Sequence, residues 1–132
     1  MAPFSRLMHG LGALGMLSAV ALGAFGAHAL RGRLPPDAMA IFKTGVDYHF
    51  YHALALFAVG YLAERLPRSR LLRWAGALIA AGIPLFSGTL YMFVLTGTRG
   101  WAMVTPLGGT AWLAAWTLIA IAVWRHGSGG DA

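Results

Sequence analysis

LMHGLGALGMLSAVALGAFGAHAL, Leu7 to Leu30, contains no Asp, Glu, Lys or Arg over about 24 residues. A helix that crosses a bilayer core needs roughly 20 mostly apolar residues, so this run is long enough to span. Arg6 precedes it and Arg31 and Arg33 follow. Ala27-His28-Ala29 has the small-x-small form of a signal cleavage site, but the apolar run exceeds the roughly 7 to 15 residues of a signal core. The stretch therefore reads as a retained helix.

Three further apolar runs follow: Val46 to Ala63, Leu72 to Leu95, and Pro106 to Trp124. Four spans at 7–30, 46–63, 72–95 and 106–124 use nearly all of the 132 residues, leaving no room for a separate soluble domain. The composition agrees, with 58% apolar and 11% charged residues and a mean hydropathy of +0.67. A soluble domain usually carries about 25% charged residues because its surface faces water. The fold class is an all-α integral membrane four-helix bundle with short loops, organised as a single transmembrane domain.

Pro36 and Asp37 suit a helix's first turn, so the second helix is expected to begin near Pro36, lie at the interface for two turns, and enter the bilayer with Gly45 as a bend. Thr105-Pro106 has the form of a helix start, with Thr as N-cap and Pro at the first helical position. Pro84, near the middle of the third span, removes a backbone donor and predicts a kink, with Ser87 placed to bond a nearby carbonyl. Ser128 to Ala132 reads as a frayed tail.

With both termini in the cytoplasm, the inner side holds Arg6, Arg65, Arg68, Arg70, Arg73 and Arg125, against Arg31, Arg33, Lys43 and Arg99 outside. That balance favours this orientation, although the first helix alone leans the other way. Trp74 and Trp124 then mark one interface and Trp101 the other. The net charge of +6 flanks apolar runs instead of forming a basic face, which points away from nucleic acid and toward lipid. The lack of Cys removes thiolate chemistry, iron–sulfur clusters and c-type haem attachment.

Helices in lipid associate through close packing of small residues. Gly12, Gly15, Ala19, Gly23, Gly26 and Ala27 lie within about 120° on the helical wheel of the first span. Gly76, Ala80 and Gly88 make a similar row on the third. Both rows are expected to pack within the bundle, and either could also seat a second copy.

Ionisable residues inside a membrane are functional candidates by default. Asp37 is a first-turn residue, Asp47 has Lys43 four residues earlier, and Glu64 has Arg68 four residues later. No carboxylate remains for the bilayer centre, which argues against an antiporter built around one. His49 and His52 are about 60° apart on one helical face, whereas Asp47 lies about 200° from His49. His28, Tyr91 and Thr105 are expected at the same outer-leaflet level. These side chains either hydrogen-bond loop backbone and headgroups, or gather to bind zinc, copper or haem, or relay protons. His28 lies about 160° from the glycine stripe, an obstacle to its joining such a site. A Ser87–His dyad lacks an oxyanion-donor motif.

The segments Gly23-Ala-Phe-Gly-Ala-His28-Ala-Leu30, Phe42-Lys-Thr44-Gly-Val-Asp-Tyr48-His49-Phe-Tyr-His52-Ala-Leu-Ala-Leu56, Phe86-Ser-Gly-Thr-Leu-Tyr91, Leu95-Thr-Gly97 and Thr105-Pro-Leu-Gly-Gly109 closely resemble the family of small membrane proteins called domain of unknown function 423. Its eukaryotic relatives are called transmembrane protein 256. Departures are small, such as Gly45 where the family tends to Ala and Thr89 where it tends to Ser. The resemblance implies a four-span helical protein of bacterial inner membranes and carries no established reaction, substrate or cofactor. It places His28, Tyr48, His49, His52, Ser87, Tyr91, Thr105 and Pro106 in motif positions.

Three functions follow as expectations. The first is a non-catalytic accessory subunit or homo-oligomer in the bilayer. The second is a small transporter or proton-linked carrier using the His face, and the third is a metal or haem binder.

Overall fold

The computed structural model describes residues 1–127. Among them are four helices and no strand: α1 (Pro3–Leu30), α2 (Pro36–Arg65), α3 (Arg70–Thr96) and α4 (Arg99–Gly127). The frayed tail expected at residues 128–132 lies outside the described residues. Helices α1, α3 and α4 are long and apolar enough to cross a membrane. The longest helix, α2 with 30 residues, is not among them. Its Asp47, His49, His52 and tyrosines lower its apolarity; of these the two histidines are buried, while Asp47 is half-buried and Tyr48, Tyr51 and Tyr61 are exposed. Helix α2 buries one face between Phe42 and Ala63, packing on α1 and α3 and reaching α4 through the contacts of His52 with Trp112 and Trp116.

The glycine stripe of α1 lies along α2. A methyl group at Gly12 would come within 2.8 Å of the Phe57 ring, at Gly15 within 2.9 Å of Ala53 Cβ, and at Gly26 within 2.6 Å of the Phe42 ring. Rising numbers on α1 meet falling numbers on α2, so the pair is antiparallel. Close backbone approach through small residues is what holds helices together where no hydrophobic effect acts. Ala27 leaves the stripe and is exposed, because α1 widens into a π turn at Gly26–Leu30 and its last residues rotate. On α3, Gly76 does pack inward, against Met8 and Phe4, but Gly88 meets nothing closer than 3.8 Å. Gly82 instead seats the Trp112 indole.

Helix α2 begins at Pro36 as expected but runs unbroken through Gly45. Gly45 is a contact rather than a bend, since a methyl there would lie 2.8 Å from the Tyr91 ring. At the exposed start of α2, Lys43 Nζ donates to Asp47 Oδ2 at 2.7 Å, and this bond raises the pKa of the ammonium above its ordinary value. The Glu64–Arg68 pair does not form. Helix α2 ends at Arg65, and Leu66 leaves the helix at φ −125° because a residue before proline, here Pro67, is disfavoured in helical conformation. Arg68 is therefore not one turn from Glu64, which instead accepts from Ser5 Oγ at 3.1 Å.

The expected start of the last helix at Thr105-Pro106 is corrected to Arg99, with Pro106 inside the helix. The physical cause is Gly97, which ends α3 at φ +69°. That left-handed residue is readily available only to glycine and lets the chain reverse almost at once. Thr105 then lies within the helix, where its hydroxyl is 3.3 Å from Trp101 O.

Pro84 is accommodated by a π turn over Ile83–Gly88 that interrupts α3. Such turns are a recognised way for a helix to absorb a lost backbone bond. Ser87 does not back-bond as expected. Thr89 takes that part, with its hydroxyl within 2.8 Å of Leu85 O and 2.9 Å of Phe86 O.

Candidate functional site

The residues of α2 that face the bundle interior organise its polar centre. Ala53 lies against Gly15, whose own neighbour is Ile83. Gly15 and Ile83 are near the midpoints of α1 and α3, so the adjacent His52 sits near mid-length of the bundle. His49 lies about one turn away. The two histidines thus lie toward the middle of the bundle and not at its end, because α2 extends some ten residues before its apolar run.

His49 is 5% exposed and joins three helices. Its Nδ1 lies 3.1 Å from the Tyr91 hydroxyl on α3, and its Nε2 lies 3.1 Å from Ser18 Oγ on α1. Ser18 Oγ is also 3.0 Å from the carbonyls of Leu14 and Gly15, which can only accept. With the Ser18 proton directed there, the hydrogen bonds run one way: Tyr91 O–H to Nδ1, Nε2–H to Ser18 Oγ, and Ser18 O–H to backbone. Ser87, fully buried one turn before Tyr91, has the one buried side-chain oxygen among the described residues without a hydrogen-bond partner.

His52, also 5% exposed, is held differently. Its Nδ1–H donates to Tyr48 O at 2.8 Å and its Nε2 accepts from Trp116 Nε1–H at 3.2 Å. A carbonyl only accepts and an indole N–H only donates, so these partners assign the neutral Nδ1–H tautomer. The ring lies flat on Trp112, with centroids 3.5 Å apart and planes 4° apart. Trp112 is itself pinned, donating through Nε1 to Ile79 O at 3.2 Å. The Tyr48 ring packs on Phe86 and stacks with Trp112.

The seven sequence candidates thus separate. His49 and Tyr91 form one unit, and Tyr48 and His52 form another beside it. Ser87 adjoins the first, one turn from Tyr91. Thr105 belongs elsewhere, with its hydroxyl 2.7 Å from that of Thr89. His28 is exposed in the π turn ending α1 and joins neither histidine. Among the described residues no three metal-ligating side chains come together.

Sequence reasoning missed Ser18, Trp112 and Trp116. Ser18 carried a usable signal: it is the only hydroxyl between Leu7 and Leu30 and falls about 60° from Gly15 on the wheel. The tryptophans carried none, since their role depends on how α4 is rotated. A second polar knot was also missed at the other end of α2. There the fully buried Ser5 hydroxyl lies 2.9 Å from Gly60 O and 3.1 Å from Glu64 Oε1, and His9 Nδ1–H donates to Ser5 O at 2.8 Å.

A groove of about 380 Å³ opens beside the first unit, walled by Leu14, Leu22, Leu56 and Pro84 and reaching Ser18, His49 and Tyr91. Removing the Tyr91 hydroxyl leaves Nδ1 of a buried imidazole unpaired, at a cost of about 1–3 kcal/mol. Tyr91→Phe is expected to lower unfolding free energy by that amount and to shift the His49 ring nitrogen resonances. The same measurement on Tyr51→Phe, at an exposed tyrosine, is expected to show neither change.

The arrangement defines a multi-pass helical membrane protein whose central polar side chains are bonded chiefly to one another. The chain belongs to the family described as protein of unknown function DUF423, which matches residues 22–109. It is 46% identical over 116 residues to the UPF0382 membrane protein YwdK of Bacillus subtilis, covering 88% of this chain and 94% of that one. It is 38% identical over 121 residues to the UPF0382 inner membrane protein YgdD of Escherichia coli, covering 92% of each chain. A Staphylococcus aureus relative, UPF0382 membrane protein SAB0533, is 39% identical over 115 residues, covering 87% of this chain and 93% of that one. No solved structure matches the chain.

Proposed function

We propose that this protein is a non-catalytic accessory subunit or self-associating component of a bacterial inner membrane, with all four helices crossing and both termini cytoplasmic. The observation that carries the reading is how the buried imidazoles are used. His49 is bonded at both nitrogens to Ser18 and Tyr91, and His52 at both to Tyr48 and Trp116. Ser87 has no base bonded to it, and at Ser18 the proton is directed to backbone carbonyls while His49 Nε2–H donates to Oγ, so neither hydroxyl faces a base. Nucleophilic catalysis needs such a pair within hydrogen-bond reach. Polar groups spent in this way fix helix register and rotation. The crossing of α2 is supported by its antiparallel contact with α1 from Phe42 to Phe57, and the inner-membrane location by the name of the Escherichia coli relative.

Native mass spectrometry of the protein gently extracted from its own membrane tests this. A discrete assembly, with itself or with another membrane protein, is the expected spectrum. A bare monomer overturns it.

One observation favours a second reading, a small proton-linked carrier: the directed Tyr91–His49–Ser18 chain borders a groove beside the Pro84 π turn. Transporters place interrupted helices near their sites. Flux and pH response in proteoliposomes that survive His49→Ala and His52→Ala unchanged remove this reading.

A further inference from the structure

At the end of the bundle opposite Lys43, the α2–α3 connection and the end of α4 border a cavity of about 660 Å³ that opens widely to the surface. Arg65, Arg68, Arg70 and Arg125 line it together with His126. The end of α2, its following loop, the start of α3 and the end of α4 each bring an exposed arginine to the rim of one cavity, with the Arg65 guanidinium lying over the Tyr61 ring at 5.1 Å.

The chain does not supply matching negative charge there among its described residues. Its four acids are Asp37, Asp47, Glu64 and Asp131. Asp37 and Asp47 lie near the other end of α2, Asp47 being paired with Lys43 in the one salt bridge among the described residues. Glu64, next to Arg65 in the chain, accepts from Ser5 on α1. Asp131 lies outside the described residues. The first residues of α3, Ser69 and Arg70, are also in the lining, so the positive end of that helix adds to the potential. The negative ends of α2 and α4 fall beside Arg65 and Arg125 and offset part of this charge; an anion among the four arginines relieves the rest.

The remaining lining identifies which anion. Leu66, Leu71 and Ala122 give the cavity apolar walls. Trp74 and Trp124, both well exposed, stand on the adjoining turns of α3 and α4, as aromatic residues do at a membrane interface. A phosphate at the level of the arginines, continuous with acyl chains along Leu71 and Ala122, satisfies both the charge and the walls. Basic pockets between membrane helices bind anionic headgroups in this way. We propose that this cavity is a binding site for the phosphate of an anionic phospholipid, of the phosphatidylglycerol or cardiolipin class. The site is independent of the accessory-subunit reading and of the histidine units.

The full chain is reconstituted in vesicles of equal parts phosphatidylcholine and phosphatidylglycerol, released, and read by native mass spectrometry for retained lipid. The wild type is expected to keep phosphatidylglycerol in preference to phosphatidylcholine. Arg68→Gln with Arg125→Gln, both at exposed positions, is expected to weaken that retention roughly 10- to 30-fold, from about 1 kcal/mol per arginine near the surface. Arg31→Gln with Arg33→Gln removes the same charge at the other end and is expected to leave retention unchanged. Helicity by circular dichroism checks that both double variants remain folded. Equal loss in the two variants, or no lipid preference in the wild type, overturns the site. Full displacement of the lipid by inorganic phosphate overturns its assignment to phospholipid.

Discussion

Gly108→Ala is expected to be among the most disruptive single-methyl substitutions in this protein. A Cβ at Gly108 would lie 2.5 Å from the backbone nitrogen of Phe86 and 2.8 Å from the carbonyl carbon of Leu85. Backbone cannot turn aside as a side chain can, so α3 and α4 must separate. The contact falls on the π turn around Pro84, where α3 already departs from regular geometry. Overpacking a well-packed core costs about 1–3 kcal/mol and sometimes more, and a backbone collision belongs at or above the top of that range. The neighbouring Gly109→Ala is the matched comparison, because its added methyl meets only the Phe86 ring at 3.7 Å, an ordinary contact. Unfolding equilibria in mixed detergent are expected to show a large loss for Gly108→Ala and little change for Gly109→Ala. Equal behaviour of the two would mean that the α3–α4 approach is looser than the structure has it.

Trp112→Ala is the second. Trp112 is 3% exposed and holds one polar unit together: His52 lies flat on its face, the Phe86 and Tyr48 rings pack around it, and its N–H caps the Ile79 carbonyl inside α3. Removing a buried indole costs about 3–5 kcal/mol through lost contacts and the cavity left behind. In lipid the packing part of that figure matters most, because no water is excluded by the contact. The effect is expected to reach His52, whose ring nitrogen resonances should broaden as the ring loses its stacking partner. Trp74→Ala, at an exposed tryptophan on α3, is expected to change stability little. An unperturbed His52 spectrum in Trp112→Ala would show that the imidazole is held by its two hydrogen bonds alone.

The residues differ in how far their own neighbourhood in the chain decides them. Leu7 to Leu30 declares a spanning helix because length and apolarity are properties of a local run, and the stripe from Gly12 to Gly26 declares a packing face because helical periodicity is local too. Pro36 marked the start of α2, and the Lys43–Asp47 pair formed as its spacing predicts, both within one or two turns. Thr105-Pro106 misled because a helix-start pattern is only a preference. The left-handed Gly97 ended α3 early enough for α4 to begin before the proline.

His49 and His52 were legible as one face of one helix. What each does was not legible, because Ser18, Tyr91 and Trp116 lie between 31 and 64 residues away along the chain. Hydrogen bonds across helices depend on the rotation and depth at which neighbours dock, and those are set by steric contacts such as Gly15 on Ala53 and Gly108 on Phe86. The sequence by itself determined that this chain is a set of apolar helices with a small-residue seam and a histidine face. Only the tertiary structure decided that those histidines are bound to partners, that Glu64 turns to Ser5, and that four arginines share one cavity, because each of these is a distance between elements that no local pattern encodes.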